Sequence, residues 1–242
     1  MTWGTFGIVH ISSLALAALM ISSLYFLLKN RSDKLQTWVM GILSFSGIAA
    51  IVFNLLAWNS PLEYLPFHLC SLTAMALPFA VISKNKVLNN LLLLWGLGAL
   101  LAVVVNTAQA NYEIFSWTFA FYFFPHVLEF GLIVLMFLLK RVKLDSRCIV
   151  STVGITFLVY TLVHIINVQI NAYCLENQVL DYAGNVIKVN YMYSLVPENP
   201  IMALAYGKPY WYMFAFIPVI VVYLSCIYCK DIIARIKNRK KA

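Results

Sequence analysis

Long apolar runs broken by short polar segments dominate the chain, and their lengths predict membrane-spanning helices. A helix rises about 1.5 Å per residue, so about 20 mostly apolar residues cross about 30 Å of hydrocarbon. Seven stretches qualify: Thr5–Leu28, Gln36–Trp58, Pro66–Ile82, Leu88–Val105, Trp117–Leu139, Cys148–Asn167 and Pro209–Cys229. Pro66 and Pro209 stand where a helix start tolerates proline. The first run lacks a basic region before it, is too long for a signal-peptide core, and meets its first cations, Lys29 and Arg31, only afterwards. It is expected to stay in the membrane as a helix. The pattern predicts an all-α, polytopic seven-helix bundle forming one domain over residues 1–242.

Charge sets the expected orientation. Lys29, Arg31 and Lys34 fall in the first loop, Lys84 and Lys86 in the third, and Lys140, Arg141, Lys143 and Arg147 in the fifth. Lys230, Arg235, Lys237, Arg239, Lys240 and Lys241 occupy a tail over residues 230–242. With seven helices, 15 of the 17 basic residues gather on one face, leaving only Lys188 and Lys208 for the other. Basic loops stay in the cytoplasm, so the N-terminus is predicted outside and the tail inside. The expected location is the cell membrane, crossed several times.

Residues 168–208 form the one long loop, predicted to be external. Val179–Val189 reads as a short β-hairpin with its turn near Gly184-Asn185. The segment after it is apolar, aromatic and punctuated by proline, as expected of a cap resting on helix ends or dipping into the outer leaflet.

Composition agrees: 62% of the residues are hydrophobic, 15% aromatic and 11% charged, against about 25% charged in a soluble domain. The net charge of +8 sits in the topology-setting clusters, so no nucleic-acid partner is expected. Of the five cysteines, only Cys174 is predicted outside a membrane run, which argues against a disulfide framework. Cys226 and Cys229 lack a second ligand pair for zinc and read as packing or palmitoylation sites.

Polar groups in lipid are costly and therefore candidates for chemistry. His10, Asn54, His68, Cys70, Asn106, His126, Glu129, His164 and Asn167 all fall in the predicted outer half, and these include all four histidines of the chain. Pro125 leaves the Phe121 carbonyl without its helical donor, so a bend is expected beside His126. His126 and Glu129 share a helix face, where the carboxylate could orient or charge the imidazole. Cys70 shares its face with Thr73, Ala74 and Leu77. The two small residues below the thiol either leave room for an acyl chain or mark a tight helix contact. Each polar residue has a plainer reading as well: cysteine as a small hydrophobe, histidine and asparagine as interhelical hydrogen-bonding groups.

The stretches LPFHLCSLTAMALPF (Leu65–Phe79), FYFFPHVLEFG (Phe121–Gly131), NYMYSLVPENP (Asn190–Pro200) and KPYWYM (Lys208–Met213) resemble YwaF-like bacterial membrane proteins. These are similar to the eukaryotic transmembrane protein 164 family. The resemblance implies a lipid acyltransferase with Cys70 as nucleophile and His126 as base, Glu129 standing by to orient it. A thiol with pKa about 8.5 needs such a base to become a thiolate. Acyl would pass from a phospholipid ester to Cys70, then to a lysolipid or another acceptor, membrane lipids being the partners. His10, Asn54, His68, Asn106, His164 and Asn190 are then candidate substrate contacts, and neither a metal nor a cofactor is expected. Two other readings stay open. One is a metal-dependent intramembrane lipid hydrolase using the outer histidines; the other is a non-enzymatic transporter or assembly protein, for which no internal repeat or broken-helix pair is evident.

Overall fold

With no water in the bilayer core, a spanning backbone must satisfy its own hydrogen bonds, and the apolar runs fold accordingly into helices. The computed structural model describes all residues except 59, 106–108, 182, 198–209, 211–212 and 240–242. Among these, the α-helices are α1 (Ile8–Leu28), α2 (Asp33–Ser44), α3 (Ser46–Ala57), α4 (Leu69–Ser83), α5 (Lys86–Val105), α6 (Trp117–Leu138), α7 (Cys148–Glu176) and α8 (Met213–Arg239). Pro61–Glu63 and Tyr191–Tyr193 form single 3₁₀ turns, and the described residues contain no β-strand. Six segments are long and apolar enough to cross a membrane: α1, α2 with α3 as one run, α5, α6, α7, and Ile217–Asn238 of α8. The short apolar α4 has 15 residues, a length of only about 22 Å.

Local chemistry explains where the helices depart from the expected boundaries. The run expected as one helix over Gln36–Trp58 begins at Asp33, where Ser32 caps the Leu35 N–H, and is interrupted at Phe45. There Phe45 N–H reaches back only three residues, to the Ile42 carbonyl at 3.2 Å. Ser44, Ser46 and Gly47 flank the break, and Ser/Gly neighbours are a recurrent cause of kinks. The helix expected from Pro66 starts at Leu69, and the one expected to end at Asn167 runs on to Glu176. The long loop therefore starts after residue 176 and not at 168, and Cys174 is a buried helical residue. The tail expected over 230–242 continues α8 as far as Arg239, helped by an Asp231–Arg235 ion pair one turn apart at 2.8 Å. The loop's stretch from 198 to 208, including most of the expected cap, lies outside the described residues.

The helices fall into two compact units. In the first, Met1–Asn54 with Leu69–Lys143, α6 packs against α1, α2, α4 and α5. Glycines bring backbones close: a Cβ on Gly131 of α6 would lie 2.0 Å from Ile21 of α1, and one on Gly96 of α5 2.8 Å from Ile133 of α6. At one end of this unit three basic turns converge. Asp33 pairs with Lys84 and lies 3.4 Å from the buried Arg141 guanidinium, which also donates to Gln36 Oε1 at 3.4 Å.

In the second unit, Leu55–His68 with Leu144–Ala242, Asp145 binds Arg147 at 2.8 Å and Arg235 at 3.1 Å, while Asp231 accepts from the Ser146 N–H at 2.8 Å. These bonds tie the start of α7 to α8. At its other end α7 carries the expected hairpin, which is reduced to a single antiparallel bridge, Leu180 to Val186, with Gly184 at φ 82° in the turn. Asn171 holds it from the helix, donating to the Val189 carbonyl at 2.9 Å and accepting its N–H at 2.7 Å.

The turn's own lock is Asp181, whose carboxylate accepts the Asn185 and Ala183 N–H groups at 2.9 and 2.8 Å. Those bonds, the one from Asn185 first, hold the carboxyl below its usual value. A depressed carboxyl stabilises the fold above its unfolded pKa of about 3.9 and loses that contribution as pH falls through the lower folded value. Asp181→Asn is therefore expected to speed amide exchange at Ala183 and Asn185 at neutral pH, with wild type and variant converging in strong acid. Equal exchange at neutral pH would rule the lock out.

Candidate functional site

Three helices of the first unit meet around Glu129. The residue is 3% exposed, one turn along α6 from His126. A Cβ built on Gly47, at the start of α3, would lie 2.7 Å from Glu129 Oε1 and 2.5 Å from Ala74 Cβ on α4. The carboxyl is thus wedged between the α2–α3 interruption and the small face of α4. Cys70 stands one turn from Ala74 on that helix. Glu129 lies within electrostatic reach of both the His126 imidazole and the Cys70 thiol. The space beneath the thiol is accordingly a tight helix contact, Ala74 on Gly47, and not an acyl channel, with Thr73 and Leu77 also buried.

The imidazole is oriented by backbone. His126 Nδ1 lies 2.6 Å from the Tyr122 carbonyl, an oxygen that can only accept, so the proton is on Nδ1 and Nε2 carries the lone pair. Pro125 sits inside α6 directly before it. The Tyr122 ring packs on the imidazole at 4.4 Å between centroids. Among the described residues Glu129 Oε2 has no hydrogen-bond partner, and no bond joins the carboxyl to His126. The role expected of Glu129 as the group that orients the imidazole falls to the Tyr122 carbonyl instead. Cys70 forms no disulfide, and both Cys70 and His126 are half-buried residues.

The other polar residues separate into packing and loop anchoring. His10 is fully buried, accepting the Phe6 N–H on Nδ1 at 2.9 Å and facing the Val103 carbonyl through Nε2 at 2.8 Å. With both nitrogens engaged and Trp3 against its ring at 5.3 Å, it packs the first unit and has no donor left for a substrate. Asn54 is half-buried on α3; Asn106 lies outside the described residues.

In the second unit His68, His164, Asn167, Tyr191 and Ser194 form another polar cluster. His68 packs edge-on against Tyr191 at 5.2 Å, and His164 Nδ1 is 3.2 Å from Ser194 Oγ. Asn190 is occupied by its own loop, accepting the Leu195 N–H at 3.0 Å and donating to the Val196 carbonyl at 2.8 Å. Nothing in the sequence marked Ser194, a loop serine that turns out fully buried. Gly47 was also unmarked, although the Ser-Phe-Ser-Gly run inside an apolar stretch was a visible sign of a kink.

Asn167 organises this cluster. Fully buried, it donates to the Tyr191 carbonyl and Ser194 Oγ, both at 2.8 Å, and accepts the Tyr191 N–H at 3.0 Å. It thereby holds Met192 and Tyr193, both at φ 53°, a left-handed conformation that costs about 1–3 kcal/mol for each such residue. Asn167→Leu removes three buried bonds, worth about 0.5–1.5 kcal/mol each, and strands the Tyr191 N–H at a further cost of about 1–3 kcal/mol, while Ser194 Oγ keeps His164 Nδ1 and the Tyr191 carbonyl keeps the Ser194 N–H. We expect it to lower stability by about 3–5 kcal/mol in sum, read as a fall in the thermal midpoint and faster cleavage near residue 192. An unchanged midpoint would show that the bonds are not holding the loop.

Apolar helices long enough to span, with few charges within them and buried polar clusters among them, define a multi-pass helical membrane protein. The chain belongs to the TMEM164 family, whose family model matches residues 5–228. No curated protein and no solved structure matches it.

Proposed function

We propose that this protein is a membrane-embedded lipid acyltransferase, acting as an acyl hydrolase when water is the acceptor, with Cys70 as nucleophile and His126 as base. One observation carries the reading: the Nδ1 proton of His126 is held on the Tyr122 carbonyl, which leaves Nε2 free as a base in the same unit as the unbridged Cys70. Glu129, in electrostatic reach of both, links the two positions. The thiol would lose its proton to Nε2 and attack a phospholipid ester, and the thioester would then pass its acyl group to a lysolipid or another acceptor.

The topology that accompanies this reading has seven spans, α4 being the short one, with the N-terminus outside and the C-terminus in the cytoplasm of a cell membrane. Its support is the meeting of the first, third and fifth connections at Asp33, Lys84 and Arg141, as alternating spans require. In that orientation Cys70 and His126 open toward the outer leaflet. A transporter reading draws on the helix interruption beside a buried acid, a feature transporters use; it predicts an inert Cys70.

Intact membranes treated with a lipid-like thiol-reactive reagent decide the matter. Modification at Cys70 that disappears in His126→Ala is the expected result. A Cys70 that does not react, or that reacts equally in both, would overturn the proposal.

A further inference from the structure

Among the described residues Glu129 is the one acid buried in the membrane-crossing helices of the first unit, and its surroundings are unusual for a carboxylate. Oε1 is pressed against Gly47, and Oε2 has no partner among the described residues. No cation there lies within ion-pair distance of it. The titratable groups that face it are His126 from α6 and Cys70 from α4, and Gly47 of α3 lies against both its Oε1 and Ala74 of α4. The imidazole Nδ1 that could have neutralised it is already bonded to the Tyr122 carbonyl. An ionised carboxylate enclosed without cation or donor is strongly disfavoured, whereas the neutral acid is not.

Resting on the thiol–imidazole reading above, we propose that Glu129 keeps its proton throughout the cycle and acts on Cys70 as a neutral acid. The site then works as a two-member pair oriented by the Tyr122 carbonyl, and Glu129 is a positioning residue. A carboxylate here would oppose the negative charge that forms on the sulfur; a protonated acid presents only a dipole in its place. During acylation the S–H proton moves to His126 Nε2, the C–S bond forms and the ester C–O bond breaks. The leaving alkoxide takes the proton back from His126. Glu129 neither gains nor loses a proton.

The test uses the full-length chain in phosphatidylcholine vesicles and needs no substrate. Infrared difference spectra between wild type and Glu129→Gln at neutral pH are expected to show the loss of a protonated carboxyl band; loss of carboxylate bands would overturn the proposal. Alkylation of Cys70 by a small neutral reagent is then followed against pH. Glu129→Gln, neutral and similarly polar, is expected to leave the midpoint in place, whereas removing a true carboxylate would lower it and speed alkylation at neutral pH by about tenfold per unit. Glu129→Leu, which removes the dipole, is expected to slow alkylation several-fold, and no effect would show that Glu129 does not act on Cys70. His126→Ala is the separate control: alkylation unchanged by it sinks the thiol–imidazole pair itself, whatever Glu129 does.

Discussion

Cys70→Ala is expected to abolish acyl transfer from phospholipid, and His126→Ala to reduce it by about 10²–10⁴-fold, with both variants remaining folded. On the proposed mechanism, the first removes the atom that carries the acyl group. The second removes the base while leaving a thiol whose ionisation at neutral pH is slight. Neither should unfold the chain. Cys70 and His126 are half-buried, and His126 makes one side-chain bond, to a carbonyl that the helix already serves. The measurement is transfer of a labelled acyl chain in vesicles, paired with thermal midpoints. Full transfer by Cys70→Ala would end the enzymatic reading. Loss of transfer together with a collapsed midpoint would assign the residues to packing.

The second large effect falls on a residue with no chemistry of its own. Gly47→Val places a branched side chain where even a Cβ would lie 2.5 Å from Ala74 Cβ and 3.3 Å from Ala74 Cα. A methyl fixed to its backbone has no rotamer to retreat into, so α3 and α4 must separate. Overpacking of this kind costs about 3 kcal/mol, and here it also displaces the Glu129 carboxyl. Gly131→Ala is the contrast. Its nominal clash is closer, but the opposing atoms, Cδ1 at 2.0 Å and Cγ1 at 2.6 Å, both belong to the rotatable side chain of Ile21. Its loss should be the smaller of the two. Thermal midpoints of the two variants test this directly, and the reverse order would mean that the Gly47 contact is not rigid.

Most of the helices could be read from the chain because lipid imposes one dominant rule. Backbone groups cannot go unsatisfied in hydrocarbon, so an apolar run of sufficient length becomes a helix with little help from its neighbours. Where the reading slipped, local polar groups decided. α7 outruns its expected end by nine residues because Asn167 and Asn171, which look like loop residues in a string of letters, are buried in bonds to the chain that folds back over them. The interruption at Phe45 was hidden inside a run whose average is apolar.

For the site, sequence supplied the residue types and the one-turn spacing of His126 and Glu129. It could not supply the partner of Nδ1. That nitrogen had a carboxyl and a carbonyl within helical reach, and the nearer acceptor in the folded chain is the Tyr122 carbonyl. Nor could it choose between room for an acyl chain and a tight contact beneath Cys70, since small residues permit both until the facing helix is known. Gly47, some 25 residues earlier, settles the choice by bringing α3 against Ala74. Solvent alone thus determines that this chain is a set of membrane helices, because the cost of an unpaired peptide group in hydrocarbon is paid residue by residue. Which side chains meet depends on close approach between helices distant in sequence, and only the tertiary packing decides that.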